Sequence, residues 1–249
     1  MINQIVSCGC SFLYGIGCYE QNHTLGKLMA KKLNAEHIDL SLCGGSNDRI
    51  IRKIIDWAIE NKNQLKNTFF LIGITDISRY ESWDELLQRY AQGDAREADV
   101  PNNMSDLHRI AEDQLLTKVK RMYYKYLHSN KSDLDRTLRN IILLTSFFEK
   151  HGSKYLIFNS MGDLKKMSKG HRFFNEVFNN KNYYSDEAWY ESLFPKGRGM
   201  ISAEDKRMEE LNMGINYKED WGHPSEKSHK LWFEKLYKYG EEIGLWNTK

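Results

Sequence analysis

Four short runs of apolar or β-branched residues stand out along the chain: "NQIVSC", "HIDLSL", "TFFLIGI" and "SKYLIFNS". Each is continuous rather than alternating, the pattern of parallel strands buried on both faces. Helical spacing fills the gaps between the first three. "LGKLMAKKLN" at 25–34 is one such segment and "DRIIRKIIDWAIENKNQL" at 48–65 the other. In the second, Ile50, Ile51, Ile54, Ile55 and Ala58 share an apolar face, with Lys53, Glu60 and Lys62 off it and Ser46 or Asn47 as the cap. Strand, helix, strand, helix, strand requires crossover connections, which predicts a parallel sheet with helices on both faces. The residues that follow the first three strands then gather at the carboxyl edge of that sheet, where open α/β folds place their sites. Those stretches are "GCSFLYGIG", "CGGSND" and "GITDISRYE".

Past the third strand, "SWDELLQRYAQG" (82–93) predicts a short helix and residues 94–105 a polar loop. Residues 106–130 and 132–152 predict two long helices, each with Ser-Asp near its start, and 153–160 the fourth strand. Residues 224–244 read as a final helix with Pro224 in its first turn. No element is assigned within 161–219. With no repeat and no linker, the expectation is one domain over 1–249, elaborated by helical and loop insertions at about 84–131 and 161–219.

Composition narrows the classes. A 41% hydrophobic, 28% charged chain of 249 residues is globular rather than disordered. A net charge of +2 creates no global field that calls for nucleic acid or a membrane surface. No run approaches the roughly 20 apolar residues of a membrane span, and "MINQIVSCGCSF" lacks the basic cluster and apolar run of a secretory signal. A cytoplasmic protein is expected. Cys8, Cys10, Cys18 and Cys43 then read as reduced, small, buried thiols. Their C-x-C-x7-C spacing does not match paired zinc patterns, so no metal and no cofactor is expected.

Candidate chemistry lies at both ends of the chain. Ser11 follows a buried strand between Gly9 and Gly15, which permit a sharp turn; a helix-capping serine is the plainer alternative. "GIGCYE" lacks the third glycine of a dinucleotide fingerprint. At the other end, Asp220 stands three residues before His223, directly before a helix. A serine hydroxyl needs a base, and an imidazole needs a carboxylate to fix its tautomer. A capping aspartate beside a surface histidine is the alternative, and His229, inside the helix, is a competitor as base. Gly44 offers an unobstructed N–H and Thr75 a hydroxyl as donors to an oxyanion.

At this point the chain resembles the SGNH hydrolases, also called GDSL-type esterases. "GCSFLYG" corresponds to the family's G-D-S-x-x-x-G block, Gly44 to the glycine after the second strand, "GITD" to G-x-N-D, and "DWGH" to D-x-x-H. The resemblance implies a three-layer α/β/α flavodoxin-like fold, a triad of Ser11, Asp220 and His223, and an oxyanion hole from the Ser11 and Gly44 N–H groups and the Thr75 side chain. Two departures stand out: Cys10 replaces a structural aspartate, and Thr75 replaces the oxyanion-hole asparagine, a role that Asn47 is also placed to take. Asn47, Asp76 and Arg79 are candidates for substrate contact. The aromatic-rich stretches 118–129 and 183–194 fit either a cleft lining or, more commonly, the buried faces of helices. Three readings follow: an esterase or deacylase acting on a small-molecule or glycan ester, an acyltransferase or ligand-binding protein on the same fold, and a flavodoxin-like anion- or nucleotide-binding module. The sequence does not fix the substrate or the oligomeric state.

Overall fold

The computed structural model of the chain describes residues 2–18, 20–84, 89–93, 122–193, 215–216 and 223–246. Its strands are β1 (Gln4–Cys8), β2 (Glu36–Asp39), β3 (Thr68–Ile74), β4 (Tyr80–Asp84), β5 (Arg89–Gly93), β6 (Lys154–Asn159), β7 (Tyr183–Tyr184), β8 (Ile215–Asn216) and β9 (His223–Pro224). Five of them form one all-parallel sheet in the order β2-β1-β3-β6-β7. The helices that frame the site and cover the sheet are the short α1 (Ser11–Tyr14) and the longer α2 (Leu25–Leu33), α3 (Asn47–Glu60), α4 (Asn130–His151) and α5 (Glu226–Glu242).

Alternation along the strands divides the core into two layers. All seven residues of β3 are buried. Phe69 and Leu71 face the side covered by α2 and α5, where they meet Leu25, Met29, Trp232 and Leu236. Phe70, Ile72 and Ile74 face α3 and α4, meeting Ile50, Ile54, Leu138 and Phe148. Full burial of one such side chain contributes roughly 1.5–3 kcal/mol, so the apolar stripes hold the helices in place. The predicted α/β/α sandwich is the observed one.

The start of α3 follows the predicted cap. Ser46 Oγ accepts the Arg49 N–H at 3.2 Å and opens α3. That helix ends at Glu60, and residues Lys62–Asn67 tighten into a 3-10 turn rather than continuing it.

Several expectations are corrected. The helix expected at 82–93 is the β4–β5 hairpin, paired from Tyr80↔Gly93 to Asp84↔Arg89. The apolar spacing of that segment is helical, but Arg52 of α3 grips the Glu81 carboxylate through two nitrogens at 2.7 Å, which draws the strand against α3. Tertiary pairing overrides local periodicity. Pro224 belongs to β9 and lies outside α5, whose cap is Ser225. β2 is half-exposed, as an edge strand is, and stops at Asp39. Within 161–219, β7 adds a fifth strand; Tyr183 is buried there and donates its hydroxyl to Asn159 Oδ1 at 2.5 Å. Trp189, in a short helix (Trp189–Leu193), stacks on Trp232 in the core, so aromatics of the 183–194 stretch are packing residues. Of the helix expected at 106–130, Tyr123–Leu127 form a π-helical turn and 106–121 lie outside the described residues.

From β1 the chain crosses to β2 on one side, then returns to β3 on the other side of β1. The reversal opens a crevice at the carboxyl ends of β1 and β3.

Candidate active site

Cys8, the last paired residue of β1, lies opposite Ile72 of β3. The chain then leaves the sheet and turns at Cys10 into α1, with Ser11 as the first helical residue. Ser11 is 4% exposed. A first-turn N–H has no intrahelical acceptor, and among the described residues no backbone acceptor meets the Ser11 N–H. Buried Phe12 and Leu13 anchor the turn from below. Cys10, fully buried, places its sulfur 3.6 Å from Ser160 Oγ, and that hydroxyl donates to the Ile74 carbonyl at 2.7 Å. The loops after β1, β3 and β6 are thereby joined.

His223 reaches this point from the far end of the sequence. It pairs with Asn216 in the β8–β9 bridge, and its Nε2 lies 3.0 Å from Ser11 Oγ. The Phe12 ring stands edge-on to the imidazole at 5.9 Å. The backbone that carries His223 lies directly on Gly17, where a Cβ would stand 2.2 Å from the Pro224 carbonyl oxygen and 3.1 Å from that of His223. Three further ties lace the start of α5 to the segment after α1. Glu226 Oε1 accepts the Glu20 N–H at 3.0 Å, His23 lies 3.1 Å from the same carboxylate, and His229 Nδ1 accepts the Leu25 N–H at 2.9 Å. The Glu20 N–H, then His23, hold the Glu226 carboxyl below its usual range. His229 is fully buried, and burial pushes its pKa down to about 3; it is a neutral clamp for the helix rather than a base beside Ser11. Asp220 lies outside the described residues.

The other two residues expected as oxyanion donors, Gly44 and Thr75, lie on the other two loops. Residues Leu42–Gly45 form a turn closed by Gly45 N–H to Leu42 carbonyl at 3.0 Å, with Gly44 at φ +74°, a conformation that glycine adopts without strain. Among the described residues no backbone acceptor meets the Gly44 N–H. Thr75, like Ser11, stands three residues past the Cys8↔Ile72 pair. Asn47 holds it by the main chain: Thr75 N–H donates to Asn47 Oδ1 at 2.9 Å, and Asn47 Nδ2 donates to the Thr75 carbonyl at 3.1 Å. The Thr75 hydroxyl donates to Met161 Sδ at 3.5 Å and accepts from Arg79 Nη1 at 3.1 Å. Arg79 is buried, and Asp76 closes its own turn by accepting the Ser78 N–H at 2.9 Å. Asn47 and Arg79, read from sequence as substrate contacts, are therefore engaged with Thr75.

A sequence profile described as a family of unknown function, DUF6071, matches residues 12–245. This chain belongs to DUF6071. No curated protein matches its sequence. Among solved structures, an acetyl xylan esterase (Est2A) from the rumen bacterium Butyrivibrio proteoclasticus matches this DUF6071 chain at 10% identity with a TM-score of 0.55, covering 98% of this chain and 65% of that one. The psychrotrophic esterase EstA from Pseudoalteromonas sp. matches at 11% identity, TM-score 0.48, covering 97% and 98% of the two chains. A member of the lipolytic protein G-D-S-L family from Veillonella parvula matches at 11% identity, TM-score 0.47, covering 94% and 96%. The fold of this DUF6071 chain is that of the GDSL-type, or SGNH, hydrolases, as its sequence motifs imply.

The DUF6071 chain also holds a grouping of serine, histidine and aspartate that sequence reading missed. Ser7 Oγ lies 2.8 Å from His37 Nε2 and donates to Asp39 Oδ1 at 3.0 Å. A carboxylate only accepts, so the hydroxyl hydrogen points to Asp39 and His37 must donate, the reverse of what a nucleophile requires. Burial lowers the His37 pKa to about 4 against the opposing pull of Asp39. The grouping ties β1 to β2. Among the described residues no cluster of three or more His, Cys, Asp or Glu is placed to hold a metal ion, and no helix is long and apolar enough to cross a membrane. Cys8, Cys10 and Cys18 are buried as expected, whereas Cys43 is exposed on the Gly44 turn.

Proposed function

We propose that the protein is a serine esterase or deacylase acting on a small ester, with an O-acylated carbohydrate as the substrate class. The observation that carries this reading is the 3.0 Å approach of His223 Nε2 to Ser11 Oγ at the switch point of an SGNH fold. The hydroxyl gives its proton to His223 as Oγ attacks the ester carbonyl carbon. The negative charge that moves to the carbonyl oxygen is met by the N–H groups of Ser11 and Gly44 and by the Thr75 hydroxyl. Collapse of the tetrahedral intermediate expels the alcohol, which takes the proton from His223 and leaves the acyl group on Ser11. A water deprotonated by the same imidazole then releases the acid. Asp220 is assigned the orienting carboxylate. The carbohydrate assignment is by analogy with the acetyl xylan esterase of the same fold. An anion-binding module on this fold would leave the position of His223 without a role.

A fluorophosphonate probe tests the reading. The wild type should be labelled at Ser11, and Ser11→Ala should lose labelling and ester hydrolysis with its thermal midpoint nearly unchanged. Hydrolysis undiminished in that variant would sink the assignment. Transfer of the acyl group to an added alcohol in preference to water would identify the acyltransferase form of the same chemistry.

A further inference from the structure

Thr75 stands where SGNH hydrolases carry an asparagine, and a hydroxyl is a shorter and freely rotating donor than a carboxamide. The surroundings of this hydroxyl are unusual. Arg79, 6% exposed, donates through Nη1 into Thr75 Oγ1 at 3.1 Å, and the same nitrogen lies 3.4 Å from the Gly45 carbonyl oxygen. One guanidinium nitrogen thus bridges the two loops that supply the Gly44 and Thr75 donors. The hydroxyl hydrogen is directed instead at the sulfur of Met161, 3.5 Å away. A thioether is a weak acceptor, so little is lost when that hydrogen turns to an oxyanion. An oxygen that accepts from a cationic donor is polarised and becomes a stronger donor itself.

We infer that Arg79 is a positioning residue for the oxyanion hole: it holds the Thr75 oxygen, aims its hydrogen away from the guanidinium and strengthens it as a donor, so that threonine and arginine together replace the asparagine. The inference rests on the esterase reading above. It assigns Arg79 no direct contact with substrate. Asn47 fixes the Thr75 backbone and Arg79 its hydroxyl, so each freedom of the residue is restrained by a different element.

The test is a double-mutant cycle on p-nitrophenyl acetate hydrolysis and on the rate of fluorophosphonate labelling, using wild type, Arg79→Met, Thr75→Val and the double variant. Loss of one oxyanion-hole donor costs roughly a hundredfold or more in kcat, so Thr75→Val should fall by about that factor. Arg79→Met should lower kcat about tenfold or more with KM little changed. In the Thr75→Val background the same Arg79 change should matter less than about twofold, because its route of action is already gone. Arg79→Gln, which keeps an N–H donor without the charge, should fall between wild type and Arg79→Met, and it replaces the methionine variant in the cycle if circular dichroism finds that variant unfolded. Effects of Arg79 and Thr75 that multiply, or a kcat unaltered by loss of Arg79, would overturn the inference while leaving Ser11 labelling intact. A wild type that neither hydrolyses the ester nor labels at Ser11 would overturn both this inference and the esterase reading.

Discussion

A single methyl group at residue 17 is enough to disturb the approach of His223 to Ser11. The backbone of His223 and Pro224 rests on Gly17 so closely that any β-carbon there must displace it. A misplacement of about 1 Å in a reacting pair can cost roughly a hundredfold in rate. Gly17→Ala should therefore lower turnover and Ser11 labelling about tenfold or more while far-UV circular dichroism stays close to that of the wild type; an unaltered labelling rate would refute the role. His223→Ala should remove nearly all turnover. In the wild type, turnover should fall on the acid side of the pH profile as His223 takes up a proton and can no longer act as a base. At this scale the sequence was readable where residue type carries the chemistry. Ser11 and His223 stand out only in combination. A glycine-flanked serine after a strand also fits a helix cap, and an Asp-x-x-His stretch before a helix also fits a capping aspartate beside a surface histidine, but together they supply a nucleophile and its base. Asn47 and Arg79 were visible as polar residues near the loops, yet their attachment to Thr75 depends on how α3 packs beside β3. Gly17 gave no signal beyond being a glycine, since what it makes room for lies over 200 residues away.

Among the elements, α5 does more than cover the sheet. Through Glu226 and His229 its first turns hold the segment that follows Ser11. His229 accepts from Leu25 through Nδ1, so its proton sits on Nε2, and its pKa is depressed to about 3. The sign of the pH effect follows. The unfolded chain takes up a proton near the ordinary histidine pKa of about 6.5, while the folded chain resists until about 3. The stabilisation is complete above about 6.5 and is lost as the pH falls towards 3, and His37, depressed to about 4, adds to the loss over the upper part of that window. Denaturant titrations should find stability decreasing on acidification by on the order of a few kcal/mol. His229→Asn, which keeps an acceptor for Leu25, should be less stable at neutral pH but flatter with pH; an equal slope in the variant would contradict the assignment. Element prediction worked where burial and periodicity agree, as in β3 and α3. It failed at β4–β5, where cross-strand pairing outweighs helical spacing, and it missed β7, which is two tyrosines long and defined by pairing with β6 rather than by any pattern of its own.

For the molecule as a whole, the order β2-β1-β3 is what turns three separate loops into one site. The gathering of those loops at the carboxyl edge was legible in advance, because strands alternating with helices require parallel crossover connections; the order of the strands was not. The first loop's partner from the carboxyl-terminal end was reached through the needs of a serine hydroxyl and through motif resemblance, since no local pattern says which residue 212 positions away will face Ser11.

The same separation has a consequence in time. Closing a contact across 212 residues carries the loop-closure cost of most of the chain, and folds dominated by such non-local contacts form slowly. On refolding from denaturant, sheet and helix signals should return first and Ser11 labelling last, in a distinct slower phase; labelling that recovers with the same time constant as the far-UV signal would disprove this order. During synthesis the serine emerges long before its base has been made. On the assignment proposed above, the nucleophile stays unreactive on the nascent chain until residue 223 has been made and α5 has docked.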